Sequence, residues 1–133
     1  MSAMFQIKES RHEARVPVTV FELAGELDAH SVEQFQKTTL QAIDTGTRYV
    51  ILDLSQLSYI SSAGLRGLFT LAKVLTAQGG MPAGSGIANK GSFKSPYLKL
   101  FNPSPNVKQV LDLMGFNMSM EIYSDLDQAL ASF

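Results

Sequence analysis

The run Tyr49–Leu54, YVILDL, is apolar except for Asp53. A strand open to water on one face alternates apolar and polar residues. A strand covered on both faces has no need to. This run therefore predicts a strand in the interior of a sheet, with packed layers above and below it. The next segment, SSAGLRGLFTLAKVLTAQGG, predicts the helix that follows. Leu65, Leu68, Phe69, Ala72 and Leu75 recur at helical spacing, Arg66, Thr70 and Lys73 face elsewhere, and Gly79 and Gly80 stop it. From Arg48 onward strand and helix signals alternate. That pattern predicts an α/β domain with a mixed, largely parallel sheet of about five strands and about four helices.

The remaining elements fill in this plan. Strands are expected at about 4–8 and 16–24, with His12 in the turn between them and Pro17 at an edge or first strand position. A helix follows, with Ser31 as N-cap, Gln34 completing a capping box, Val32, Phe35, Thr39 and Ile43 near one face, and Gly46 after its end. Later, YLKLF reads as a strand. NPSPNVKQVLDLMG reads as a helix capped by Ser104, opened by Pro105 and closed by Gly115, with Val107, Val110, Leu111 and Met114 inward. MSMEIY is a short strand. SDLDQALASF is a closing helix with Ser124 as cap and Leu126, Ala129, Leu130 and Phe133 on one face. Met114, Met118 and Met120 are expected to pack in the core. Between the second helix and the next strand lies a Gly- and Ser-rich segment, 79–96, carrying Lys90 and Lys94. It is long for a connection in a compact domain and reads as an inserted surface loop.

Composition narrows the function. A chain of 133 residues suggests one domain, 1–133. Its net charge of -1 gives no electrostatic footprint for nucleic acid. The absence of cysteine excludes disulfides, thiolate nucleophiles and Cys-bound zinc. No signal-peptide core and no run of ~18 apolar residues is present, so a cytoplasmic protein without a membrane partner is expected.

Few residues suggest chemistry. Asp28 and His30 beside a serine invite a triad, but no GxSxG elbow accompanies them. Glu26, Asp28 and Asp53 lack metal-ligand spacing, so no metal or cofactor is expected. Lys90 is followed by Gly91 and then a strand, which fails the requirement of a phosphate loop. The triplet Asn117–Met118–Ser119 is a glycosylation acceptor only in a secreted chain. Ser61 and Ser62 remain. One serine suffices to cap a helix. A second hydroxyl at a helix start, where partial positive charge and free N–H groups gather, is a place where a phosphate is well held.

Two segments, GELDAHS and VILDLSQLSYISSAGLRGLF, together resemble the STAS domain of bacterial anti-sigma factor antagonists. The resemblance extends to the later NPSPNVKQVLDLMGFNMSMEIYSDLDQAL and covers nearly the whole chain. It implies a single STAS domain that is a switch and substrate rather than an enzyme. Unphosphorylated, it would bind an anti-sigma factor that is also a serine kinase. That kinase would phosphorylate it, and a metal-dependent serine phosphatase would reverse the step. Ser62 falls on the family's phosphoacceptor, Asp28 on the Asp of its Gly-x-Leu/Ile-Asp loop, and Ser61 where many members carry aspartate. Partner contacts would come from Asp28, His30, Ser61, Ser62, Ala63, Gly64, Leu65, Arg66 and Lys73. A homodimer is compatible with this reading. The alternatives are a STAS scaffold subunit that is never phosphorylated, in a signalling or lipid-transport assembly, and a small nucleotide-binding α/β protein or enzyme. The 79–96 segment is longer than the family's usual link.

Overall fold

The computed structural model describes residues 4–79, 95–116 and 120–133. Its elements in order are β1 (Gln6–Glu13), β2 (Pro17–Leu27), α1 (Val32–Asp44), β3 (Val50–Ile60), α2 (Ser62–Gly79), β4 (Leu98–Phe101), α3 (Pro105–Leu113), β5 (Glu121–Tyr123) and α4 (Leu126–Ala131). The five strands form one sheet in the order β1-β2-β3-β4-β5. Only the β1–β2 hairpin is antiparallel; the other pairs are parallel. Each parallel strand is thus added on the same side of the last. Crossovers of one hand then put every intervening helix on one face of the sheet.

The core follows that logic. Phe21, Leu23, Leu27, Val50, Leu52 and Leu54 from the sheet pack with Phe35 of α1, Leu68, Leu71 and Leu75 of α2, and Val107 and Leu111 of α3. The opposite face carries a smaller cluster, Val18, Val20, Ile51 and Ala129, partly covered by Leu126, Leu130 and Phe133 at the C-terminus. There the Lys99 ammonium is buried against Glu121 at 2.9 Å and lies over the rings of Tyr123 and Phe133. Burial of a lysine is tolerable when a carboxylate and aromatic faces replace its water.

Several boundaries differ from expectation. His12 is not in a turn: β1 continues to Glu13, and His12 pairs with Val18. The polar sequence of β1 hides a strand because most of its residues are exposed and the ladder to β2 holds it. Pro17 does open β2, which is an interior strand. β3 also runs beyond Leu54, through Ser55–Tyr59, to Ile60. Its pairing with β2 shifts register twice, between Glu22 and Ala24 and between Gly25 and Glu26. These irregularities add residues to β3. They bring Leu54, Leu57 and Ile60, all buried, to the core side at intervals of three, which disguises the strand's period of two.

The capping assignments need similar correction. Ser31 and Ser104 precede their helices but neither side chain caps one. The Ser104 hydroxyl instead donates to the carbonyl of Leu57 at 2.6 Å and ties α3 to β3. Asp125, not Ser124, caps α4 by accepting from the Gln128 N–H. The expected insert falls largely on residues 80–94, which lie outside the described residues, as do Met118 and the triplet at 117–119.

Candidate functional site

The loops leaving β2 and β3 lie side by side, because Leu27 and Ile60 end paired parallel strands. Ligands of open α/β sheets gather at this carboxyl edge. The first loop, Asp28–Ser31, is held by its own polar groups. The Asp28 carboxylate accepts from the N–H of His30 at 3.0 Å, the N–H of Ser31 at 3.1 Å and the Ser31 hydroxyl at 3.2 Å. The Asp28 carbonyl accepts from Val32 N–H, the first residue of α1. Ser31 Oγ donates to the Glu26 carbonyl at 2.7 Å and accepts from Asp28 N–H. The capping box expected of Ser31 and Gln34 is therefore replaced by an Asp28-centred turn. The N–H of Ser31, aided by that of His30 and by the Ser31 hydroxyl, holds the Asp28 carboxyl below its ordinary value of 3.8, against a smaller opposing effect of burial. Asp28 takes the main chain of His30. The exposed imidazole makes no hydrogen bond with a described residue, so no carboxylate–imidazole relay is assembled.

The second loop is a single residue, Ser61. Its N–H donates to the Leu27 carbonyl at 2.9 Å, and its carbonyl accepts from Leu65 N–H. Its hydroxyl accepts from Gly64 N–H at 3.3 Å. Ser61 is thus the N-cap of α2, satisfying one of the orphan donors of the first turn. Ser62 is the first helical residue and is exposed, and its hydroxyl bonds to no described residue. The two serines have divided the available roles.

Gly64 fixes how the two loops meet. A Cβ there would stand 2.5 Å from the Leu27 carbonyl oxygen and 2.8 Å from Ile60 Cγ1. Only glycine allows α2 to start this close to β2. Gly64 and Leu65 are buried and Ala63 is half-buried, so these three shape the helix start, whereas Arg66 and Lys73 are exposed. Lys73 lies about 10 Å beyond Arg66 along the axis, with its ammonium 5.9 Å from the centre of the Phe69 ring.

Two residues expected in the core lie at the surface. Phe69 is 43% exposed and Met114 is 60% exposed, while Leu71 takes an inward position on α2. The reason is the end of α3. Phe69 stacks edge-on against Phe116 at 5.3 Å, and together with Ser62, Leu65, Arg66 and Met114 these residues line a shallow groove of about 310 Å³. Nothing in the sequence marks Phe69, Met114 and Phe116 as site residues. Helical periodicity marks them as apolar without telling whether a neighbour covers them. Among the described residues no group of three or more His, Asp or Glu is placed to hold a metal ion, and no helix is long and apolar enough to cross a membrane.

This α/β fold has known counterparts. The STAS domain sequence profile matches residues 8–81, more than half of the chain. The chain belongs to the STAS domain family. It is 31% identical over 111 residues to BtrV of Bordetella bronchiseptica, provisionally named an anti-sigma factor antagonist, with 84% of this chain and 82% of that protein covered. Among solved structures it is similar to the anti-sigma factor antagonist SpoIIAA in its unphosphorylated form, at 26% identity and TM-score 0.65, over 94% of this chain and 92% of that one. An anti-sigma factor antagonist from Mycobacterium paratuberculosis shares the fold at 17% identity and TM-score 0.73, over 98% and 96% of the two chains.

Proposed function

We propose that the protein is a cytoplasmic anti-sigma factor antagonist whose binding is switched by phosphorylation of Ser62. Unphosphorylated, it engages an anti-sigma factor that is also a serine kinase. Phosphate transferred to Ser62 Oγ ends that engagement, and a serine phosphatase restores it. The protein is the substrate of both steps and catalyses neither. The observation that carries this reading is the contrast between neighbours: Ser61 is spent on the cap, while Ser62 is exposed and unengaged. A dianion on Ser62 meets the positive end of α2 without disturbing the fold. BtrV and SpoIIAA, both described as anti-sigma factor antagonists, support the partner class, and a phosphorylated form of the Bacillus SpoIIAA, 25% identical, supports the modification. Asp28, His30 and the exposed side of α2, with Arg66 and Lys73, would complete the contact surface. A serine rather than an aspartate at 61 keeps the cap and omits one negative charge beside the acceptor.

That omission is also what a constitutive scaffold subunit would tolerate. Phosphopeptide mapping of the protein from its own cells separates the two. Trypsin releases Tyr49–Arg66. Phosphate on Ser62, lost in Ser62→Ala, is the expected result. A fully covered but unmodified peptide across growth and stress conditions supports the scaffold instead.

A further inference from the structure

Arg66 is the sole charged side chain in the first two turns of α2, and the helix contains no acidic residue. It is exposed and makes no ion pair or hydrogen bond with a described residue. It stands four residues after Ser62, so the two side chains are neighbours on the helix surface, and both line the same groove as Leu65, Phe69, Met114 and Phe116. An anion N-terminal to a cation at this spacing is the favourable orientation on a helix. A guanidinium also matches phosphate oxygens with two parallel N–H donors.

We propose that Arg66 is the intramolecular partner of the Ser62 phosphate, drawing it back over the groove formed by Leu65, Phe69, Met114 and Phe116. This deepens the phosphorylation reading and rests on it. Before modification, Arg66 is a free cation on the rim of an apolar groove, available to a carboxylate of a binding partner. After modification, the same cation is occupied from within the chain. The groove mouth then carries a phosphate that an acidic partner must displace. One added group would remove an attractive contact and supply a repulsive one. No other described cation competes well. Lys73 is nearly two turns further on and lies against the Phe69 ring, and Lys108 is paired with Asp112 at 3.3 Å. The titratable groups of the adjoining loop are His30 and Asp28, and the Asp28 carboxylate is turned into its own loop.

The test installs phosphoserine at position 62 of the full chain by genetic encoding, so its outcome does not depend on whether the cell modifies Ser62. The second ionisation of the phosphate is followed by phosphorus NMR in the Arg66 protein and in Arg66→Gln, Arg66→Lys and His30→Asn. Pairing with Arg66 favours the dianion. Arg66→Gln is therefore expected to raise the phosphate pKa by about 0.3 unit, the worth of one exposed ion pair at this helix spacing. Arg66→Lys is expected to recover part of the shift, and His30→Asn to leave the Arg66 difference in place. The Arg66 Nε–H resonance should move with the same midpoint. An identical phosphate pKa with arginine and glutamine at 66, in proteins with equal melting temperatures, overturns the proposal. The phosphopeptide map judges the phosphorylation reading separately.

Discussion

Two helix starts lie next to each other at the carboxyl edge of the sheet, and they are built differently. At α1, the Asp28 carboxylate and the Ser31 hydroxyl are consumed by the turn. Asp28 accepts from His30 and Ser31, and Ser31 bridges Glu26 and Asp28. At α2, the chain passes from strand to helix in one residue. Ser61 does the capping and Ser62 is left bare. The first start is a brace and the second is a platform. The difference teaches where one fold can leave room for a switch. A hydroxyl available for modification has to be one that the fold does not need, and it is best placed beside one that the fold does need.

The comparison can be broken by loading the brace onto the platform. The largest effect is expected from Gly64→Ala. The added Cβ would overlap the Leu27 carbonyl and Ile60, forcing the two helix starts apart at a cost of about 3 kcal/mol, as for other overpacked sites. A urea midpoint well below wild type with an unchanged slope checks this. A wild-type midpoint would mean that the loops are not rigidly apposed.

Removing the cap comes next. Ser61→Ala should cost about 1 kcal/mol, whereas Ser61→Asp, which keeps an acceptor at the same place, should not destabilise. Thermal denaturation of the pair distinguishes a cap from a passive spacer. A smaller effect, visible only in acid, is expected from Asp28. Its folded pKa lies below the unfolded value, so its contribution is full above the unfolded pKa and is lost as pH falls through the folded one. Asp28→Asn should therefore flatten the acid limb of a stability–pH curve below about pH 4, with the unmodified protein as reference. Smallest of all is Ser62→Ala, expected within about 0.5 kcal/mol of wild type because no described bond is lost. A larger loss would show that Ser62 shares the capping role.

Much of this was legible in the sequence, for identifiable reasons. YVILDL is apolar but for Asp53 because β3 is covered on both faces, and Val107 and Leu111 recur at helical spacing because α3 lies on the sheet. Pro105 and Gly115 bracket that helix for reasons of backbone geometry alone. The pair of serines at the mouth of α2 was visible as a pair. Which one caps was not, because that depends on the direction of a hydroxyl relative to Gly64 N–H.

Local sequence therefore determined the order of elements and the layered α/β plan with a largely parallel sheet. These follow from propensity and periodicity, which act over a few residues at a time, and from the handedness of crossovers, which acts over one strand–helix–strand unit. Tertiary structure decided the rest. Partner-strand pairing with two bulges carried β3 through SQLSY to Ile60. The end of α3 left Phe69 and Met114 at the surface beside Ser62. Lys99 was buried because Glu121, Tyr123 and Phe133 surround it from elsewhere in the chain. Exposure and hydrogen-bond partnership are properties of what stands opposite a residue, and what stands opposite is known only once distant segments have met.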